Sequence, residues 1–389
     1  MNILLRGPLL SLSGYGIHAR QVFEWLESIP GIKLYVEILN WGMTSWLLDE
    51  DAEDGIVGRI MAKTGNIKEI PFEYSFQVQL PDEWDSNLAR KNIGISAFVE
   101  TDRCSPKWID ACNKMDVIVT PSSFTASVAK RSGILTTPLE IIPEWYNTKI
   151  DTVKNSLPLK LSSKFNFLIV GTITAQNIDN DRKNIFNTVK WLVEEFKNNS
   201  DVGIVIKSSF GRGTKIDKSL TLSTMKTALS EIRPKDQIYP KINVIHGNMT
   251  NEEVASLYKH KRIKCFVTAT RGEGYGLPII EAAASGVPII ATGWSGHKQF
   301  LLEDKYLSLD YFLKEIDSSR VDGRIFMSGN RWAEVYESDF KKKVREVYEN
   351  YSHHKKNSLS LQKHIKNNFS KNQIIVFYNK LFSRLNNEL

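Results

Sequence analysis

One corner of the sequence carries the residue types best suited to binding chemistry. Glu273 and Glu281 stand eight positions apart in the chain. Three glycines lie in or beside the loop that holds the first glutamate: Gly272, Gly274 and Gly276. An apolar run precedes this loop, and Pro278 marks the first turn of a helix that follows it. The pattern predicts a strand, a glycine-rich loop and a short helix, with a carboxylate on each side of the turn.

A corner of this kind suits a ligand that contains both a diphosphate and sugars. Glycines let the backbone approach a ligand closely, and a helix N-terminus offers N–H groups and about half a positive charge. Carboxylates are poor phosphate ligands but good acceptors for sugar hydroxyls. The pattern therefore favours a nucleotide sugar. The alternative is an ordinary strand-loop-helix connection in which a glutamate caps the helix.

Other reaction types fit the sequence less well. A glycosidase needs two opposed carboxyl groups about 5 to 10 Å apart across a sugar, whereas these two glutamates share one corner. The sequence contains no Gly-x-Ser-x-Gly elbow, no Walker phosphate loop and no redox cysteine pair. Its three cysteines, Cys104, Cys112 and Cys265, have no paired spacing and are expected to be buried thiols.

The elements that must position these residues follow an alternating pattern. Strand-like apolar runs alternate with helix-length amphipathic segments, which predicts an α/β fold with two doubly wound, Rossmann-like units. Strands are expected at 2–5, 33–39, 92–99, 117–119, 165–170, 203–207, 242–245, 264–267 and 287–290. Apolar residues at helical spacing over 372–385 predict a terminal helix that docks on the protein.

The length of 389 residues exceeds what a single hydrophobic core supports, so two domains are expected. A hydrophobic fraction of 42% and a charged fraction of 24% exclude a disordered chain. Residues 143–164 contain two prolines and little periodicity, which places the junction there. The predicted domains are 1–158 and 159–369, with a helix at 370–389 packing back on the first.

The two halves differ in charge, within a net charge of +7. Residues 1–158 carry 15 Lys and Arg against 20 Asp and Glu, and residues 159–389 carry 36 against 24. A basic half attracts phosphate-bearing ligands, anionic membrane or nucleic acid. The acidic first half argues mildly against membrane or DNA as its own partner. No apolar run is long enough to cross a bilayer, so we expect a cytoplasmic protein, peripheral at the membrane at most.

The stretch EGYGLPIIE at 273–281, followed by GVP at 286–288, resembles the Glu-x7-Glu signature of the retaining glycosyltransferases of family 4. Upstream, Gly171 and the run RKN at 182–184 resemble the family's strand-loop segment with a basic residue for the donor diphosphate. The resemblance implies the GT-B fold, in which two Rossmann-like domains face each other across a cleft. The second domain would bind the sugar donor and the first would bind the acceptor.

The resemblance also implies roles for individual residues. Glu273 would hold hydroxyls of the transferred sugar, and Glu281 would hold the ribose of the nucleotide. Lys183 would neutralise the diphosphate as the sugar leaves, so Glu273 and Lys183 are the expected catalytic residues. The other residues expected at the donor are Gly274, Tyr275, Gly276, Leu277, Arg182, Lys207 and Gly16.

The sequence departs from the family pattern at two places. Thr172 stands where many members have an arginine, and the region 98–102 lacks a histidine that the family often has near the donor sugar. Glu100 or Asp102 could take that role, and His18 is a candidate contact to donor or acceptor. Each also has a structural interpretation, since Glu100 could pair with Arg103 and His18 could cap a helix.

Together with this resemblance, which implies retained anomeric configuration, the sequence predicts a glycosyltransferase that moves a sugar from a nucleotide-diphosphate sugar, such as a UDP- or GDP-sugar, to an acceptor hydroxyl. The expected acceptor is a glycan in polysaccharide synthesis. No metal is expected, and the Asp-x-Asp element at 179–181 is isolated. The alternatives are a lipid-linked or modified-DNA-base acceptor, a non-catalytic nucleotide-sugar sensor, and a sugar-nucleotide epimerase. The sequence leaves base, sugar and oligomeric state open.

Overall fold

A computed structural model describes residues 1–233 and 237–387 of the chain. These residues form two compact units. Unit 1 comprises Met1–Trp145, Asp322–Met327 and Lys371–Leu389, and unit 2 comprises Tyr146–Val321 and Ser328–Ser370.

The elements alternate along the chain as the sequence predicts. The strands are β1 (Asn2–Gly7), β2 (Lys33–Ile38), β3 (Tyr74–Val78), β4 (Lys91–Ile95), β5 (Val117–Thr120), β6 (Leu139–Ile141), β7 (Phe165–Val170), β8 (Val202–Lys207), β9 (Lys241–Ile245), β10 (Ile263–Thr268), β11 (Ile289–Thr292), β12 (Leu307–Leu309), β13 (Tyr311–Glu315) and β14 (Arg331–Val335). The helices are α1 (Gly14–Glu27), α2 (Ala52–Met61), α3 (Pro106–Cys112), α4 (Ser123–Ser132), α5 (Lys149–Thr152), α6 (Ile185–Glu195), α7 (Lys215–Ile232), α8 (Asn251–Tyr258), α9 (Leu277–Ala284), α10 (Glu337–Glu349), α11 (Tyr351–Asn368) and α12 (Lys371–Asn387).

Unit 1 is built on a parallel sheet of six strands in the order β2-β1-β3-β4-β5-β6. Its central strands are buried, because helices cover both faces of a parallel sheet. Cys104 and Cys112 are buried free thiols in this unit, as expected.

The terminal helix α12 belongs to unit 1 and packs on α1. The ring of Tyr378 stacks on Trp25 with centroids 4.7 Å apart, and Trp25 Nε1 donates a hydrogen bond to Asn379 Oδ1 at 2.9 Å. Stacked aromatic rings bury large apolar areas, so this contact anchors the helix. The last two residues of the helix predicted at 370–389 lie outside the described residues.

Unit 2 repeats the architecture with a parallel sheet in the order β12-β11-β10-β7-β8-β9. The carboxyl ends of parallel strands meet at one edge of the sheet, and ligands of open α/β sheets bind at that edge. The loops that follow β7, β8, β10 and β11 are therefore neighbours. An antiparallel hairpin, β13–β14, follows this sheet.

The segment that follows Trp145 is held against unit 2. Residues from Tyr146 onward are grouped with unit 2. Lys149 pairs with Glu252 of α8 at 3.1 Å, and Leu157 N donates a hydrogen bond to Ser256 O at 3.1 Å. These contacts hold the linker against unit 2, although its sequence has little periodicity.

The sequence analysis did not predict the strands β3, β6, β12, β13 and β14. In β3 the buried polar residues Ser75 and Gln77 interrupt the apolar pattern. Both side chains form hydrogen bonds inside the protein: Ser75 Oγ donates to Asn92 Oδ1 at 2.7 Å, and Gln77 Nε2 donates to Ser75 Oγ at 3.0 Å. The strand expected at 92–99 ends at Ile95, and Phe98 has a φ of 51° that a strand does not permit.

A buried acid and a buried histidine lie under α12 in unit 1. His18 Nε2 is 3.1 Å from the hydroxyl of Tyr378, and His18 Nδ1 is 3.9 Å from Glu144 Oε1. Burial raises the pKa of Glu144 to about 8 and lowers the pKa of His18 to about 4. Both side chains are therefore neutral at pH 7, because the protein interior disfavours the charged forms.

The raised pKa of Glu144 predicts a pH-dependent stability. The folded state holds the proton up to about pH 8, whereas the usual pKa is 4.5, so this contribution is present below pH 4.5 and is lost as the pH rises through 8. The thermal midpoint of Glu144→Gln, relative to wild type, should be higher at pH 8 than at pH 5. The exposed Glu69→Gln is the control, and an equal difference at both pH values would contradict the assignment.

Candidate functional site

The loop between β10 and α9 is shaped by two close backbone approaches. Gly276 has a φ of 107°, and a Cβ there would lie 3.1 Å from the Cβ of His297. A Cβ on Gly296 would lie only 2.0 Å from Gly274 O, so no other residue fits without moving the loop. Gly296 N also donates a hydrogen bond to Glu273 O at 2.8 Å. The glycines thus hold the loop after β10 against the loop after β11.

Glu273 is the centre of a buried polar cluster in unit 2. Lys183 Nζ donates to both of its carboxylate oxygens at 2.7 and 2.6 Å, and Thr270 Oγ1 donates to Oε1 at 2.9 Å. An Arg182 guanidinium nitrogen lies 3.5 Å from Oε2, and Glu273 N donates to Ser295 Oγ at 2.9 Å. The structure therefore brings together three residues that the sequence analysis selected, from the loops after β7 and β10.

The charges around Glu273 decide its protonation state. Burial alone would raise the pKa of its carboxyl group, but the charges of Lys183 and Arg182 overcome this effect and lower the pKa to about 2. The side chain is only 7% exposed. Glu273 is therefore a carboxylate at neutral pH, able to accept hydrogen bonds from hydroxyl groups and unable to donate a proton.

The helix α9 begins directly after this loop, and side chains of α11 donate hydrogen bonds to the carbonyl groups at its C-terminus. Lys355 Nζ and Ser358 Oγ of α11 donate to Gly286 O at 2.5 and 2.9 Å, and Gln362 Nε2 donates to Ala284 O at 2.8 Å. A cation and two donors at the C-terminus stabilise the helix dipole, whose positive end points into the loop. This end suits an anionic group.

Four residues expected at the donor, Gly274, Tyr275, Gly276 and Leu277, lie in this loop or at the start of α9 and offer main-chain rather than side-chain atoms. Tyr275 is buried with its ring 5.1 Å from that of Phe300, and Leu277 is also buried. Gly274 and Gly276 have no side chains. A ligand at this loop would meet main-chain atoms, which fits the recognition of phosphate by N–H groups.

Glu281 lies one turn into α9 and is half-buried. Burial raises the pKa of its carboxyl group to about 7, although the Tyr258 hydroxyl and the charge of Lys207 act in the opposite direction. Lys207 is the last residue of β8, and burial lowers its pKa while Glu281 opposes that shift. The structure thus pairs two predicted donor residues electrostatically at the same edge of the sheet.

Arg271 is a residue that the sequence analysis missed. It is 1% exposed and forms a two-pronged ion pair with Glu334 of β14 at 2.9 and 3.2 Å. It also donates to Ile178 O at 2.7 Å and to Asp181 O at 2.8 Å. Arg271 therefore joins the loop of Glu273, the loop of Lys183 and the hairpin. Its place two residues before Glu273 was the available signal, but its partners are distant in sequence.

The residues of unit 1 that were predicted to contact donor or acceptor, Gly16, His18 and Glu100, are at least partly buried within that unit. Gly16 N donates to Ser13 Oγ at 3.0 Å at the start of α1, and a Cβ on Gly16 would lie 2.0 Å from Ser11 O. His18 is 2% exposed beneath α12, and Glu100 is half-buried on the loop after β4. Contact of His18 with a substrate would require α12 to move.

The described residues contain neither a cluster of metal ligands nor a membrane-spanning helix. Within residues 1–233 and 237–387, no group of three or more His, Cys, Asp or Glu side chains is arranged to hold a metal ion. No helix in the same ranges is long and apolar enough to span a bilayer.

The comparison with protein families concerns the segment that holds the glutamate pair. Residues 239–375 match the model described as "Family 4 Glycosyltransferase in conflict systems". The matched segment contains both glutamates of the motif, Glu273 and Glu281, and is similar to that family. The resemblance read from the glutamate motif, and the expectation of a glycosyltransferase, are thereby confirmed. No curated protein sequence matches the chain.

Solved structures resemble the chain over nearly its full length. HepE of Anabaena, in complex with UDP and glucose, has 10% identity and a TM-score of 0.66, covering 99% of this chain and 100% of that one. Sucrose-phosphate synthase of Thermosynechococcus elongatus has 13% identity and a TM-score of 0.68, covering 100% of both chains. The lipopolysaccharide outer core galactosyltransferase WaaB has 12% identity and a TM-score of 0.59, covering 99% and 100%. These likenesses confirm the predicted α/β GT-B fold.

The ion pair of Arg271 with Glu334 yields a prediction for the stability of unit 2. Glu334→Gln leaves a buried guanidinium without its counter-charge, which costs about 3 kcal/mol. The midpoint of thermal unfolding should fall by about 5 to 10 °C, as measured by calorimetry. Glu315→Gln, an exposed residue of the same hairpin, is the control and should change the midpoint little. A midpoint for Glu334→Gln equal to that of the control would show that the pair does not hold the loop.

Proposed function

We propose that the chain transfers a sugar from a nucleotide-diphosphate sugar to an acceptor hydroxyl, with retained anomeric configuration and without a metal ion. The observation that carries this proposal is the buried contact of Lys183 Nζ with both oxygens of Glu273, at 2.7 and 2.6 Å, beside the positive end of α9. A cation, a carboxylate and a helix N-terminus together match the diphosphate and the hydroxyls of such a donor.

The diphosphate of the donor would lie against the N-terminus of α9 and the side chains of Lys183 and Arg182. These groups are fixed before the ligand arrives, because Arg182 also donates to Gly272 O at 2.6 Å. Preplaced cations and dipoles stabilise charge that develops on the leaving phosphate without reorganising during the reaction. The two basic side chains would supply the neutralisation that a metal ion supplies in other transferases.

The transferred sugar would donate its hydroxyls to Glu273. With a pKa of about 2, this carboxylate is ionised across the working range and strengthens each hydrogen bond that it accepts. The low pKa also argues against Glu273 as a proton donor, which separates its role from that of a glycosidase acid.

The nucleoside would be held by Glu281, with Lys207 nearby. Ribose hydroxyls donate well to a carboxylate, and Glu281 is half-buried with a pKa near 7. The complexes of HepE with UDP and glucose, and with UDP-glucose, support a UDP-sugar as the first donor to test.

In the reaction, the bond between the sugar carbon and the diphosphate oxygen breaks, and the acceptor oxygen forms a new bond on the same face. The resemblance to family 4 implies that the leaving phosphate accepts the acceptor's proton, so no protein nucleophile is assigned. We propose a glycan as the acceptor, in line with the structural neighbour WaaB, a lipopolysaccharide outer core galactosyltransferase.

A donor-only assay separates this proposal from its alternatives. Incubation with UDP-glucose should release UDP and free glucose slowly, because water replaces the missing acceptor. Tight binding without release would instead support a sensor. Conversion of the bound sugar into an isomer still attached to UDP would support an epimerase.

Two alanine variants should separate binding from turnover. Glu281→Ala should raise the Kd for UDP about tenfold, because it removes a charged acceptor for ribose hydroxyls. Glu273→Ala should leave the Kd for UDP within about threefold and lower donor hydrolysis about a hundredfold, because it frees the sugar from its orienting contacts. Isothermal titration and hydrolysis rates measure the two effects. The exposed Glu349→Ala is the control, and an unchanged Kd in Glu281→Ala would overturn the ribose assignment.

The raised pKa of Glu281 predicts how nucleotide affinity depends on pH. Ribose hydroxyls donate to the ionised carboxylate, so binding favours the form that prevails above a pH of about 7. The affinity of wild type for UDP, divided by that of Glu281→Gln, should therefore rise between pH 6 and pH 8. A ratio that does not change, or that falls with pH, contradicts a carboxylate contact to the nucleotide.

A further inference from the structure

Two short segments of unit 2 carry rows of basic residues. The first is the run KHKRIK at 259–264, which leads into β10. The second lies along α11 and consists of Lys355, Lys356, Lys363 and Lys366. Helix α11 contains no Asp or Glu. We call the two segments together the basic rows.

The basic rows lie side by side and run in opposite directions. Lys264 Nζ lies over the ring of Tyr351, 5.3 Å from its centroid, at the start of α11. Burial lowers the pKa of Lys355, and the charge of Lys264 lowers it further. At the other end, burial lowers the pKa of Lys259 and the charge of Lys366 lowers it further. Lysines of the two rows therefore repel each other electrostatically at both ends of the rows.

Few acids offset this charge. Lys366 pairs with Asp151 at 2.7 Å, and His354 pairs with Glu346 at 3.3 Å. Lys261, Lys356 and Lys363 are exposed and form no ion pair with any residue in the described parts of the chain. Like charges held close together destabilise the fold unless a negative partner approaches, so the rows are suited to an anion with repeated charges.

The exposed face of α11 narrows the choice of polyanion. Leu359, 49% exposed, is the one large apolar side chain on it, whereas a helix that lies in a membrane surface needs a broad apolar face. The described residues of this face include no exposed Phe, Tyr or Trp, and single-stranded nucleic acid is held largely by stacking on such rings. The remaining exposed residues are polar: Ser352, His353, Lys356, Ser360, Lys363, Asn367 and Asn368.

The dimensions fit a regular phosphate backbone. Between the exposed Lys356 and Lys363 the helix rises about 10 Å, which equals about three base-pair steps of a duplex. Lys356 and Lys363 stand two helical turns apart on the same face, and serine and asparagine side chains of the kind that bind phosphate oxygens lie between and beyond them.

We propose that the basic rows bind the phosphate backbone of a nucleic-acid duplex, without reading its sequence. This surface is separate from the loop of Glu273, because it lies at the amino end of β10 whereas that loop follows the carboxyl end. The inference does not depend on the proposed transfer reaction.

The test compares two charge-reversal variants that change the net charge equally. Lys356→Glu with Lys363→Glu alters the exposed face of α11, and Lys218→Glu with Lys226→Glu alters exposed residues of α7 in the same unit. Binding to a fluorescein-labelled 20-base-pair DNA duplex is followed by anisotropy at several salt concentrations. The α11 variant should bind at least tenfold more weakly than wild type at low salt, and its salt slope should be smaller by about 2. The α7 variant should resemble wild type.

Thermal midpoints and a charge-conserving variant serve as controls for the duplex-binding test. Equal thermal midpoints for both variants show that the fold is intact, and Lys356→Arg with Lys363→Arg should retain duplex binding because it keeps the charge. An equal loss of affinity in the α7 variant would overturn the proposal in favour of a net-charge effect. Stronger binding to a single strand, or to phosphatidylserine vesicles with the same sensitivity to the α11 variant, would overturn it as well.

Discussion

The site in unit 2 depends on the stabilisation of one buried negative charge. Removing a carboxylate from water costs several kcal/mol unless cations and donors surround it. Lys183, Arg182 and Thr270 surround Glu273, and they come from the loops after β7 and β10. The ion pair of Arg271 with Glu334 in turn joins these two loops to a hairpin. The geometry around Glu273 therefore reflects a network that must remain complete to be stable.

Unit 1 shows what burial does without such a network. Glu144 is as deeply buried as Glu273, yet its pKa is raised to about 8 whereas that of Glu273 is lowered to about 2. The neighbours explain the contrast, because Glu144 faces a neutral His18 and Glu273 faces two cations. The same side chain is thus a neutral packing group in one unit and a permanent charge in the other. His18 belongs to the packing of α12, where its hydrogen bond is to Tyr378.

Helix α11 contributes both to the support of the Glu273 loop and to the basic rows of unit 2. On its inner side, Lys355, Ser358 and Gln362 neutralise the carboxyl end of α9 and so support the positive end that faces the loop of Glu273. On its outer side, Lys356 and Lys363 face solvent. An acid-free helix serves both requirements, because acids beside the carboxyl end of α9 would oppose the helix dipole.

The amino-acid sequence by itself determined the parallel α/β architecture, the docked terminal helix and the glycine-rich corner with its two glutamates, because hydrophobic periodicity and local turn chemistry act between near neighbours. It did not reveal β3, whose buried Ser75 and Gln77 interrupt the apolar pattern, or the partners of Arg271, which lie about 60 and 90 positions away. Only the tertiary structure decided which carboxyl groups are charged. A pKa depends on burial and on charges within a few ångströms, and both are set by segments that meet only when the chain folds.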